Sequence, residues 1–190
     1  NNIILSGDLA EGTYTLKYED VDGEVVDVGT IIKAPDIENQ IPLSINADGS
    51  QYVGENGEDG YKVGYRINSS GGETAESGFS VTGYIPIKQG DIVYFKNCDF
   101  YTKGGVASKL RIALYKADFT PFQTMYGFNL VAETNSYAYL IDNINTTGES
   151  GYITSFTIAD THGDFKNGGY IRFTMGNMDG TEIITKNQEI

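Results

Sequence analysis

No helix-length stretch of this chain spaces its apolar side chains at the 3.6-residue period of an amphipathic helix. Short runs alternate in period two instead, as in Thr13-Tyr14-Thr15-Leu16-Lys17-Tyr18-Glu19, and Gly, Asn or Asp separates one run from the next. A chain of this kind buries its apolar surface by pairing strands and stacking the resulting sheets. The 24 Gly and 14 Tyr fit that pattern, since glycine supplies turns and tyrosine suits a half-buried pleated surface.

The texture divides the chain. Residues 1–33 read as a small antiparallel meander, with Ile3–Ser6 as a third strand beside two longer ones. Asp22-Gly23 supplies a two-residue hairpin turn between the runs Thr13–Glu19 and Glu24–Ile32. Residues 34–60 read as a linker, because Pro35, Pro42, Asp48-Gly49 and the run from Gly54 to Gly60 interrupt any ladder. Residues 61–190 carry strand signals over Lys62–Ile67, Gly78–Ile85, Asp91–Asn97, Lys109–Lys116, Tyr137–Asp142, Tyr152–Ile158, Tyr170–Met175 and Glu182–Thr185. About eight short strands predict an all-β, antiparallel, jelly-roll-like β-sandwich. The chain opens Asn1-Asn2-Ile3-Ile4-Leu5 without methionine, which predicts a piece of a longer protein.

A net charge of −13 opposes binding to a phosphate backbone or an anionic bilayer, so neither nucleic acid nor membrane insertion is expected. The single cysteine, Cys98, forms no intrachain disulfide and reads as a small buried side chain at a strand end. The single histidine, His162, has no Gly-x-Ser-x-Gly elbow to serve and reads as a turn residue. One His and one Cys are too few for an ordinary zinc site. Acidic residues fall mostly in turns, and none is singled out by apolar neighbours as a raised-pKa acid for glycoside hydrolysis. The expectation is a non-enzymatic protein with no cofactor. Structural calcium is the one ionic reading, through the acidic loop Glu55, Asn56, Glu58 and Asp59, ahead of the turn Asp20-Val21-Asp22-Gly23-Glu24.

The aromatic residues point to a surface. Phe119, Phe122, Tyr126 and Phe128 crowd a segment that also holds Pro and Gly, and Phe100 and Tyr101 precede the loop Thr102-Lys103-Gly104-Gly105. Exposed rings beside amides are what a sugar-binding face needs, because the C–H faces of a pyranose stack on them. The competing reading is that these rings plug the ends of the sandwich.

Two stretches resemble known modules. Gly12 to Gly23, ending in Val28-Gly29-Thr30-Ile31, resembles a hairpin module of tail and receptor-binding structural proteins of phages and prophages of Gram-positive bacteria. Ile41-Pro42 with Asp48-Gly49-Ser50, the run from Gly60 to Gly71, the run from Val81 to Asp91 with its phrase Ile85-Pro86-Ile87-Lys88-Gln89-Gly90-Asp91, and the closing Gly168-Gly169-Tyr170-Ile171-Arg172-Phe173 are similar to the module that often follows it. The last two also resemble carbohydrate-binding jelly rolls attached to glycoside hydrolases. The resemblance implies a component of the virion surface or tail, otherwise an extracellular protein. It would be a homo-oligomer, with a trimer as the family expectation, contacting other virion proteins and host cell-surface polysaccharide. A carbohydrate-binding module of a secreted or surface bacterial protein, and an architectural decoration or fibre protein without a ligand, are the alternatives.

Overall fold

The computed structural model describes residues 12–19, 21–33, 36–68, 70–98, 111–123, 141–146, 153–159, 163, 165–176 and 178–190. The chain divides into two compact units, Asn1–Ile37 and Glu38–Ile190. In the first, β1 (Gly12–Glu19) and β2 (Val25–Lys33) form an antiparallel hairpin running from Gly12↔Lys33 to Glu19↔Val25, with a bulge at Leu16/Lys17. The closing pair is Glu19↔Val25, and the described residues 21–24 between the strands, with Gly23 at φ 80°, already make the connection longer than the expected two-residue turn. The third strand expected over Ile3–Ser6 lies outside the described residues.

The second unit is all-β, and every described strand pairing in it is antiparallel. Its strands are β3 (Tyr61–Ile67), β4 (Glu73–Thr82), β5 (Ile85–Ile87), β6 (Ile92–Lys96), β7 (Arg111–Lys116) and β8 (Pro121–Gln123), followed by β9 (Ile141–Thr146), β10 (Ile153–Ile158), β11 (Gly169–Gly176) and β12 (Ile183–Lys186). One sheet has the order β3-β4-β11-β7-β8, with β5 pairing β11 beyond the end of β4; the other has the order β12-β6-β10-β9. Alternation explains how they pack. In β11, Ile171, Phe173 and Met175 point into the core, while Tyr170, Arg172 and Thr174 take the other face. Ile112 and Leu114 of β7 join the inward set, and Phe95, Phe156 and Ile158 meet it from the second sheet. The rings of Phe95 and Phe173 cross edge to face at 5.3 Å, so the two sheets share one core.

The expected linker ends early. From Glu38 the chain belongs to the second unit, and several of its backbone groups that join no ladder bond to the sandwich singly. Gln40 N donates to Ile184 O at 2.7 Å, and Ile45 and Tyr84 exchange backbone hydrogen bonds at 3.0 and 2.9 Å. Ile41 lies in the main core and Tyr52 is buried. Pro42 and the glycines limit pairing here to isolated bridges but do not prevent packing. Two further differences have simple causes. β4 starts at Glu73, where its polar, outward residues hide the alternation, and β9 runs on through the polar stretch Asn143-Ile144-Asn145-Thr146, beyond the expected end at Asp142, while residues 137–140 of that expected strand lie outside the described residues. β8, opened by Pro121, was not expected.

Candidate functional site

The outer face of the six-stranded sheet carries a second apolar layer. Ile67, Val81, Ala113 and Tyr115 are buried there, with Tyr65, Tyr84 and Tyr170 half-buried against them. Arg172 lies among these rings. It is 3% exposed, with its guanidinium 4.7 Å from the Tyr84 ring centre and 5.4 Å from that of Tyr52. Its Nε donates to Thr82 O at 2.8 Å and its Nη2 to Glu73 Oε1 at 2.6 Å. Tyr52 Oη donates to the same oxygen at 2.7 Å, and Lys62 Nζ stands 3.7 Å from Glu73 Oε2. Burial alone would raise the Glu73 carboxyl, but Arg172, Tyr52 and Lys62 together outweigh it and hold the group below its ordinary value. A carboxylate kept ionised by two donors and a nearby cation is suited to fixing its neighbours rather than to delivering a proton.

The exposed part of this face is aromatic. β7 and β8 are joined by a tight hairpin in which Phe119 N donates to Lys116 O, and Lys116 N to Thr120 O, both at 2.9 Å. Phe119 adopts φ 64°, the left-handed region that glycine usually fills in such loops. Its ring stacks on Tyr170 with centroids 4.4 Å apart and an interplanar angle of 15°. Tyr84 meets Phe119 edge-on at 5.0 Å and Tyr115 at 4.8 Å. The left-handed backbone costs a bulky residue roughly 1–2 kcal/mol, which the ring contacts offset. The result is a half-exposed platform of three rings over a rigid, charged base.

The other expected site residues divide as follows. Phe100, Tyr101, Tyr126, Phe128 and His162 lie outside the described residues, as does the side chain of Phe122. The acidic loop is described, and its carboxylates face protein donors. Tyr65 Oη donates to Glu55 Oε1 at 2.8 Å and Lys62 Nζ stands 3.0 Å from it, and these contacts, in that order, lower the Glu55 carboxyl. Glu58 accepts from Asn56 Nδ2 at 2.9 Å and from Asn56 N at 3.0 Å, while Asp59 is exposed. Among the described residues no three His, Cys, Asp or Glu side chains converge as a metal site would require.

The chain matches no family model, no curated protein and no solved structure.

Cys98 is buried beside Lys96 O and Ile183 O, and burial, then the Glu182 carboxylate, push its thiol up to about 12. Because the thiolate is the reactive form, the native protein is expected to resist Ellman's reagent at neutral pH, and the urea-unfolded chain to react promptly. Prompt reaction of the native protein would place the thiol at the surface.

Sequence reasoning found Phe119 but missed Tyr84, Tyr170, Arg172, Glu73 and Tyr52. The signal for Arg172 was available. In Tyr170-Ile171-Arg172-Phe173 the apolar members sit one apart, so Tyr170 and Arg172 share the outward face.

Proposed function

We propose that this chain is a non-enzymatic glycan-attachment module, a β-sandwich of the phage tail or virion-surface kind, which uses its aromatic platform to hold host cell-surface polysaccharide. The observation that carries the proposal is Phe119, a large ring kept at φ 64° and stacked on Tyr170 at the surface. The ring contacts only offset the backbone cost, and strained backbone of this kind clusters at ligand-facing positions, which supports a binding role for the half-exposed ring. Stacked rings offer an apolar plane to a pyranose, and the charge of −13 turns the module away from polyanions. The resemblance of the hairpin and of the strand phrases to phage tail modules supports the virion setting.

Phe119→Gly separates this role from simple packing. Glycine relieves the strained φ at the loss of one aromatic contact, so stability is expected to stay within about 1 kcal/mol of wild type. Phe119→Ala keeps the strain without the ring and should be about 1 kcal/mol less stable than the glycine variant. Binding to purified Gram-positive cell walls, measured by co-sedimentation, is expected to fall at least tenfold in both variants. Full binding by Phe119→Gly would return the ring to a packing role.

A further inference from the structure

The second sheet carries a groove that neither the platform nor the core explains. Its volume is about 640 Å³, within the range of small-ligand clefts. Tyr94, Ser155, Thr157, Asn143 and Asn145 are among the residues that line it, together with Lys96 and Glu189. Tyr94 is half-buried, and its direct neighbours across the ladder are Ser155 on β10 and Thr185 on β12, both small hydroxyl residues.

The wall is built by a bulge. Pairing between β9 and β10 passes from Thr157↔Asp142 to Ser155↔Asn145, so two residues of β9 oppose the single Phe156. The extra residue is absorbed with Asn143 at φ 51°. Bulges re-aim side chains, and here two amides reach the same face. Asn145 Nδ2 donates to Ser155 Oγ at 2.8 Å, and Asn143 Nδ2 to Thr157 Oγ1 at 3.4 Å. Each of these hydroxyls, accepting from an amide, keeps its own proton to donate. Five of the lining side chains, Asn143, Asn145, Thr154, Ser155 and Thr157, are short and polar and gather around the Tyr94 ring, with only two long charged ones among the rest.

We infer that this groove is a second binding site, for a neutral, hydroxyl-rich pyranose chain. Fixed amides and hydroxyls donate and accept at once, as vicinal sugar hydroxyls do, and the Tyr94 ring supplies apolar surface. Lys96 and Glu189 in the lining balance in charge, and the net charge of −13 disfavours an acidic chain. The inference shares the glycan reading of the platform but stands on separate residues of the other sheet.

The test is calorimetric titration of the full chain with cellohexaose, maltohexaose, mannohexaose and chitohexaose, with hexagalacturonate as the acidic control. Wild type is expected to bind at least one neutral hexasaccharide and to bind the acidic one more weakly. Tyr94→Ala should lower that affinity at least tenfold, and Asn143→Gly, which suits φ 51° and removes only the amide, about fivefold or more. Phe119→Gly should leave this binding within twofold. Absence of binding to all four neutral chains, tighter binding of hexagalacturonate, or unchanged affinity in Asn143→Gly would overturn the inference. Loss in Phe119→Gly with full binding in both groove variants would overturn the groove and leave the platform proposal standing.

Discussion

Arg172→Ala is expected to destabilise the protein by about 3–5 kcal/mol, read as a fall in the urea midpoint at unchanged slope. Arg172 is 3% exposed, and its removal leaves Thr82 O without its guanidinium donor and Glu73 partly buried without its nearest cation. Truncating one member of such a pair costs more than the pair contributes, because the remaining charge stays desolvated. A double-mutant cycle with Glu73→Gln should give a coupling of about 1 kcal/mol or more. A near-zero coupling would mean that the guanidinium is held by Tyr84, Tyr52 and Thr82 alone.

The same pair sets a pH dependence. The folded Glu73 carboxyl lies below its unfolded value, with Arg172 the largest of the groups that lower it against the opposing effect of burial. A depressed carboxyl contributes stability in full above its unfolded pKa, and that contribution disappears as pH falls through the folded value. Wild type is therefore expected to lose stability on acidification below the ordinary glutamate range. In Arg172→Ala the carboxyl is less depressed, so the acid-side loss attributable to Glu73 becomes smaller. An equally steep acid limb in both proteins would assign the effect to other carboxylates.

Why the sequence revealed some of this and not the rest follows from contact range. Strands such as β6, β7, β10 and β11 announce themselves locally, because alternation within a few residues decides which side chains turn inward. The platform does not. Phe119 stacks on Tyr170 because β11 pairs β7 with Tyr170 opposite Tyr115, a register fixed by the whole inward set Ile112, Leu114, Ile171 and Phe173. Arg172 and Glu73 are 99 positions apart and meet only after β4 has docked on β11. The contacts of the acidic loop were equally hidden from local spacing. Glu55 and Glu58 look like cation ligands in sequence, and in the fold they accept from Tyr65, Lys62 and Asn56.

Gly60→Ala is expected to cost about 2–5 kcal/mol, combining the left-handed penalty with overpacking. Gly60 has φ 82°, and a Cβ there would stand 1.7 Å from Ile41 O and 2.9 Å from Pro42 Cα, both backbone atoms. No side-chain rotation relieves such a contact, so residues 41–42 or 60 must shift. The shift would be felt widely, because Gly60 N donates to Tyr52 O at 2.8 Å while Gly60 O accepts from Ser44 Oγ at 2.9 Å and Gly83 N at 3.1 Å. Gly57→Ala is the matched control. Its φ of 87° carries the same backbone penalty, with nothing within 4 Å of the new methyl, so it should cost only about 1–2 kcal/mol. The difference between the two variants measures how firmly residues 38–60 pack on the sandwich. Equal costs would make that segment the loose connector its prolines and glycines predict. A Gly60→Ala excess of about 1 kcal/mol or more would make it structural, with Tyr52 carrying it to Glu73 beneath the platform.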